Sequence, residues 1–326
     1  MSTRDTSAAT GEGFTVAVMS FNRGRFLEHC VASIERHAPM ADVLVVDDLS
    51  DDPDTRAALE RIRTRWPVMS PERARIDNPK VGGLYANMQL ALDTLPDGRL
   101  LCYFQDDMQM VRDVTAADLR GMQRHFEANE RAAFLCTMFL RGNHREREYA
   151  QLRWDSARGC YFRQGESGSP IGYFMAVCTT RTDRLRAVGW RFADREKLND
   201  RQAAERFEPM GHVRDPVSMF LPGMPVFRGR RRSWALRRSE RQMQTGFHPY
   251  RPLTGAALER LLERDERELP IAEDWLETET GLPDKPWPWG PFRDARWLRK
   301  LDRVENGLVE LVERARGRLA PPRRRL

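Results

Sequence analysis

The chain has 326 residues, enough for one large α/β domain or a domain with a substantial appendage. Its net charge of +6 is dispersed and carried almost wholly by arginine, with Lys80, Lys197, Lys285 and Lys300 the only lysines, so anionic ligands are favoured; aromatics are not interleaved with the basic residues, which argues against nucleic acid. Cys30, Cys102, Cys136, Cys160 and Cys178 are scattered and form no C-x-x-C, no signal-type apolar h-region follows the polar amino terminus, and no window approaches the ~18 apolar residues of a membrane span, so a cytoplasmic chain with buried thiols is expected.

After a polar leader (1–13), "FTVAVMS" (14–20) is a short apolar strand, and the following segment places Phe26, Leu27, Cys30, Val31 and Ile34 at helical spacing. The unit repeats with a strand at 42–48 and a helix whose first turn holds a proline. "RARIDN" reads as a third strand, "GGLYANMQLALDTL" as a third helix and "RLLCYF" (99–104) as a strand with both faces covered. Strands alternating with helices predict an α/β fold, a mostly parallel sheet flanked by helices. Further on, a helix opening on Thr115 and strands at "AAFLCTMF" and 171–178 are expected, then a helix stopping at Gly189. Residues 141–170 are polar, charged and glycine-bearing, 209–225 reads as loop, and from Leu253 onward the composition turns helical and charged.

Ligands of an open parallel sheet gather at the carboxyl ends of its strands, and acidic residues cluster there in "VVDDLSDD" and "QDDMQ". Asp106 and Asp107 repel each other unless a positive charge faces them, and a hard divalent cation, Mg²⁺ or Mn²⁺, would supply it and also grip phosphates. A cap or turn is the structural alternative. Asp51, Asp52 and Asp54 are read as caps of the next helix. Gly82 and Gly83 open a helix, where free N–H groups can meet a diphosphate. No dinucleotide fingerprint and no P-loop is present.

Taken in order, "SFNR", "FLEHCVASI", "VVDDLSDD", "NPKVGGLYANMQLAL" and "FQDD" resemble the inverting nucleotide-sugar glycosyltransferases of family 2, which have the GT-A (Rossmann-like) fold; the similarity spans roughly residues 14–215. The resemblance implies a GT-A catalytic domain over 14–250 and a nucleoside-diphosphate sugar donor, UDP by expectation. It assigns Ser20, Phe21, Asp48, Gly82, Gly83 and Asp106 to the donor, and Asp106 with Asp107 to Mn²⁺ or Mg²⁺. The general base would be Asp200, in the Asn199-Asp200 pair expected to open a helix, with Asp194 and Glu196 as fallbacks. The acceptor would be a saccharide, lipid-linked or other hydroxyl, as in polysaccharide biosynthesis. The alternative is a catalytically inactive nucleotide- or surface-binding protein of the same fold, for which Asn199 in place of the usual glutamate is the motive.

In the helical extension, 251–326, Trp297, Leu301, Val304, Leu308, Leu311 and Ala315 step along one helix face. The expectation is packing on the catalytic domain or on a second copy as a homodimer; peripheral attachment to the inner face of a membrane through the basic helix is the alternative. Trp287 and Trp289 could stack on sugars or form a hydrophobic clasp. His248 is a weaker metal candidate, and the basic tract 228–234 is not read as a processivity motif.

Overall fold

The computed structural model describes residues 13–71, 83–165, 172–225, 233–282, 285–290, 292 and 296–319. β1 (Phe14–Ser20), α1 (Gly24–His37), β2 (Asp42–Asp47) and α2 (Pro53–Arg63) follow the apolar pattern closely, with Asp52 capping α2 and Pro53 in its first turn. β3 (Val68–Met69), α3 (Leu84–Thr94) and β4 (Leu100–Gln105) complete the first half. Residues of the "RARIDN" expectation lie outside the described residues. β1 alternates its side chains between two cores: Val16 and Val18 face α1 and α2 through Leu27, Ile34 and Leu59, while Ala17 and Met19 face α3 through Met88 and Leu92. Leu27 and Ile34 are fully buried, so truncating either to alanine is expected to cost about 2–5 kcal/mol.

The second half is built from shorter pieces: β5 (Met108–Met110), α4 (Ala116–Ala128), β6 (Leu135–Cys136), α5 (Arg145–Gln151), β7 (Leu152–Asp155), β8 (Cys160–Arg163), β9 (Thr179–Arg181), α6 (Thr182–Ala187), α7 (Glu196–Arg206), β10 (Gly211–Val213) and β11 (Ser218–Phe220). Thr115 caps α4 in a reciprocal box with Asp118. Among the described residues nine strands form one sheet, ordered β3-β2-β1-β4-β9-β6-β10-β8-β7, and β11 pairs with β5 apart from it. Pairing is parallel from β3 to β4, as the crossover helices require, and β9 then enters antiparallel to both β4 and β6.

Two expectations are corrected here. The strand expected at 171–178 lies at Thr179–Arg181 instead; Tyr103 still donates its N–H to the Cys178 carbonyl, but the preceding residues bend away toward α7. The stretch 209–225 is not all loop, because Pro209, Pro216 and Pro222 flank β10 and β11 rather than interrupt them. The polar stretch after residue 141, given no element by the sequence, contains α5 and the β7/β8 hairpin, whose outer residues are too polar to show an alternating pattern.

The carboxyl-terminal part adds α8 (Trp234–Gln242), α9 (Gly255–Glu263), α10 (Ala272–Trp275) and α11 (Arg296–Leu319). Residues 250–287 share a buried cluster with Val111, Phe139 and Met219, anchored where Gln109 and the Tyr250 backbone exchange two 2.8 Å hydrogen bonds. α11 meets α8 through Leu298, Ala235 and Phe292, and Glu305 accepts the Ala235 N–H at the amino end of α8. Packing of the expected face on the catalytic domain is therefore corrected: Trp297, Val304, Leu308 and Leu311 stay exposed in the single chain, with Leu301 half-buried, because Leu298 and the acidic caps orient the helix. Among the described residues no helix is long and apolar enough to cross a membrane.

Candidate active site

β1, β2 and β4 end side by side, and the turns that follow wall one side of a cleft of about 850 Å³. After β1, Asn22 turns the chain in a left-handed conformation (φ 48°), and its side-chain oxygen accepts the N–H groups of Asp51 and Asp52. After β2, Asp47 accepts both the N–H and the hydroxyl of Ser50, which in turn accepts the Asn22 N–H. These bonds lock the two loops together and hold Ser20, Phe21 and Asp48 on the cleft wall. Asp48 accepts the Gly83 N–H at 2.8 Å, and a Cβ at residue 83 would overlap the Asp48 carboxylate, so glycine is required for this close approach at the start of α3. Gly82 lies outside the described residues.

Asp106 and Asp107 sit on the same wall, both buried, and a positive charge does face them: the guanidinium of Arg23. Arg23 Nη1 lies 2.6 Å from Asp107 Oδ2 and 3.4 Å from Asp106 Oδ1, while Nη2 donates to the Pro225 carbonyl. Burial opposes the guanidinium charge, but Asp107 and then Asp106 outweigh it and raise the Arg23 pKa. Asp106 Oδ2 also accepts the Phe21 N–H at 3.0 Å, and Asp107 Oδ1 is buried without a hydrogen-bond partner among the described residues. No group of three or more His, Cys, Asp or Glu side chains suited to a metal occurs among the described residues.

The opposite wall is formed by the 172–178 segment, α7 and the turn after β6. α7 opens at Glu196 rather than at the Asn199-Asp200 pair. Asn199 is fully buried and holds the Ala193 N–H and the Ala193 and Arg195 carbonyls. Asp200 Oδ1 accepts the N–H groups of Tyr173 and Phe174 at 2.7 and 3.0 Å, and Asp200 is not among the residues lining the cleft; Glu196, one turn earlier, is. Tyr85, across from Glu196, has its hydroxyl pKa raised by burial and then by that carboxylate. Arg141 reaches in from beyond β6, lying over the rings of Phe220 and Trp289 at 4.8 and 5.1 Å. Glu273 fixes this corner by accepting the N–H groups of Gly142, Trp287 and the Trp289 indole. Trp287 is thus a buried clasp and Trp289 a wall of the cleft. His248 bonds Thr280 and the Gln244 carbonyl and does not line the cleft.

Arg23 and Arg141 carried no assignment from the sequence. Arg23 stood inside the quoted "SFNR", so its place at a strand end was available, whereas nothing near Arg141 in the chain signals its aromatic setting.

A sheet ordered 3-2-1-4 in parallel, crossed by an antiparallel strand and carrying paired aspartates at the end of its fourth strand, defines the GT-A class. A family model described as "Glycosyl transferase family 2" matches residues 15–186, and the chain belongs to that family. No curated protein matches the chain. Among solved structures, it is similar to S. aureus TarS 1–349 at 17% identity and TM-score 0.44, over 63% of this chain and 59% of that one. It is also similar to the mannosyltransferase PcManGT from Pyrobaculum calidifontis, solved with GDP-Man and Mn²⁺, at 14% identity and TM-score 0.41, over 71% and 61% of the two chains. For glucosyl-3-phosphoglycerate synthase from Mycobacterium tuberculosis, solved with Mn²⁺, UDP and phosphoglyceric acid, the values are 15%, 0.39, 71% and 75%. The chain thus spans about three fifths of the TarS fragment that it matches.

Proposed function

We propose that the protein transfers a sugar from a nucleoside-diphosphate donor, UDP-linked by expectation, to an acceptor hydroxyl with inversion. The observation that carries this reading is the convergence of Ser20, Phe21, Asp48, Gly83, Asp106 and Asp107 on one cleft that Glu196 enters from the other wall. Asp48 and the Phe21 ring would take the ribose and base, as strand-end acidic residues do in other nucleotide folds.

The donor set at Asp106 and Asp107 is oxygen only, which suits Mn²⁺ or Mg²⁺ held by one or two carboxylates together with substrate phosphates. Asp107 Oδ1, buried and without a hydrogen-bond partner, is the oxygen that fits such an ion, with Asp106 beside it. When bound, the ion would neutralise charge on the departing diphosphate. Arg23 already contributes one positive charge at the same place.

For the base we favour Glu196 over Asp200. An inverting transfer needs a carboxylate on the acceptor side, within reach of the attacking hydroxyl. Glu196 lines the cleft, while Asp200 Oδ1 is committed to two amides of the 172–174 segment and serves to position it. In the step itself, the acceptor oxygen bonds to the anomeric carbon, the bond to the diphosphate oxygen breaks, and the hydroxyl proton passes to the carboxylate. Incubation with UDP- and GDP-sugars and a panel of hydroxyl acceptors tests this. Release of nucleoside diphosphate with a product of inverted anomeric configuration by NMR supports it; nucleotide binding without turnover on any acceptor favours the inactive binding protein.

A further inference from the structure

The two halves of the cleft differ in charge. Asp48 follows β2 and Ser20 ends β1, while His212 and Arg163 belong to β10 and β8, on the far side of β4 and β6. In that far half Arg141, Arg147 and Arg163 line the cleft together with the Glu148 carboxylate. Glu148 is buried and already gripped twice, by Arg147 at 2.7 Å and by Arg163 at 2.5 Å. Arg147 and Arg163 therefore share one anion, and among the described residues Arg141 pairs with none.

Arg141 is the sharpest case. Its guanidinium has no ion pair and no hydrogen bond among the described residues, and its Nε is buried without a partner. The rings of Phe220 and Trp289 hold it, yet a desolvated cation gains far more from an anion than from two ring faces. Burial works against its charge and lowers its pKa, and Asp107, Tyr250, Glu196 and Glu273 offset this only in part. In the same wall His212 is 4% exposed with both ring nitrogens unpartnered. Such a ring can donate or accept one hydrogen bond from a bound hydroxyl.

We propose that the acceptor is an acidic molecule, a hydroxyl compound bearing a phosphate or carboxylate, whose anion docks on Arg141 with Arg147 and Arg163 behind it. The inference rests on the glycosyl-transfer reading above, since it names the second substrate of the same cleft. A planar guanidinium fixed by aromatic rings presents paired N–H donors to either anion.

Calorimetric titration of the full chain with glucose 6-phosphate, glucuronate and glucose tests the charge requirement, and the first two arms separate phosphate from carboxylate. At least one anionic sugar should bind about tenfold or more tightly than glucose, and Arg141→Gln should remove that advantage. Arg147→Gln, at an exposed side chain, should weaken it to a smaller extent, so the conclusion does not hang on one variant's folding. UDP titrated into each variant checks the donor half and should give an unchanged Kd. Equal affinity for anionic and neutral sugars overturns the proposal, as does an Arg141→Gln variant that loses UDP affinity but keeps the anion preference. Failure of the wild type to bind any nucleotide would sink the transferase reading instead, and is read out separately.

Discussion

Arg23 and Asp107 form a 2.6 Å ion pair, buried on both sides, between the turn after β1 and the turn after β4, 84 residues apart in the chain. The pair explains how two adjacent carboxylates can be buried at a strand end: one guanidinium is shared between them. It also means that any divalent cation at Asp107 shares that carboxylate with a resident positive charge. Arg23→Gln is expected to lower stability by about 3 kcal/mol, because two buried carboxylates are left without their cation. Mn²⁺ alone, without nucleotide, should then raise the melting temperature of the variant more than that of the wild type. Equal shifts in the two proteins would show that Arg23 and the ion do not share a site.

The two α7 carboxylates give opposite expectations. Glu196→Gln should lower kcat by about 10²–10⁴-fold while leaving nucleotide affinity unchanged, as loss of a general base does. Asp200→Asn can still offer an oxygen to the Tyr173 and Phe174 amides and should cost less than tenfold. Steady-state kinetics on both variants decides; a dead Asp200→Asn beside an active Glu196→Gln returns the base to the position that the family resemblance indicates.

Gly83→Ala places a methyl group against the Asp48 carboxylate, which is held by the residue 83 amide itself. Asp48 must swing away, and both its hydrogen bond and its place on the nucleotide wall are lost. Affinity for UDP should fall about tenfold, in line with the loss of a charge-assisted bond. An unchanged Kd would remove Asp48 from the donor site.

Acid should destabilise the fold through two buried histidines before the carboxylates begin to titrate. Burial holds His125 down to about 4, and burial followed by Arg163 holds His212 down to about 3, whereas an unfolded histidine takes its proton near 6.5. Both folded values are lowered, so this stability is complete above about pH 6.5 and is lost as pH falls toward them. Each histidine contributes a slope of about 1.4 kcal/mol per pH unit within that window. Urea melts between pH 7 and 4.5 should show the decline, and His125→Gln should make it shallower. A flat profile would mean that neither ring is held neutral.

How much of this was legible in the sequence depends on the length of the elements. β1, β2 and β4 are six or seven residues of nearly unbroken burial and are read directly, together with α1 to α3. β6 falls inside the strand expected at 132–139, but β9, β10 and β11 have only three residues each, too few to show a period, and their pairing is set by partners far along the chain. Asp106, Asp107 and Gly83 stand out beside a readable strand or helix, whereas Ser20, Phe21 and Asp48 are named through the family resemblance, whose motifs sit at the ends of β1 and β2. The setting of Arg141 could not be read in either way, since Phe220, Glu273 and Trp289 reach it from segments 79 or more residues away. For α11 the limit is different: a helix with two apolar faces gives a clear stripe without saying which one meets the rest of its own chain.

The central claim is that the paired aspartates, with a divalent ion, hold a nucleoside diphosphate. Calorimetric titration of UDP into wild type and Asp107→Asn, each with Mn²⁺ and with chelator, tests it most directly. The account predicts that Mn²⁺ tightens UDP binding at least about tenfold in the wild type and not in the variant, which should otherwise remain folded. Metal-enhanced binding of equal size in both proteins would contradict it.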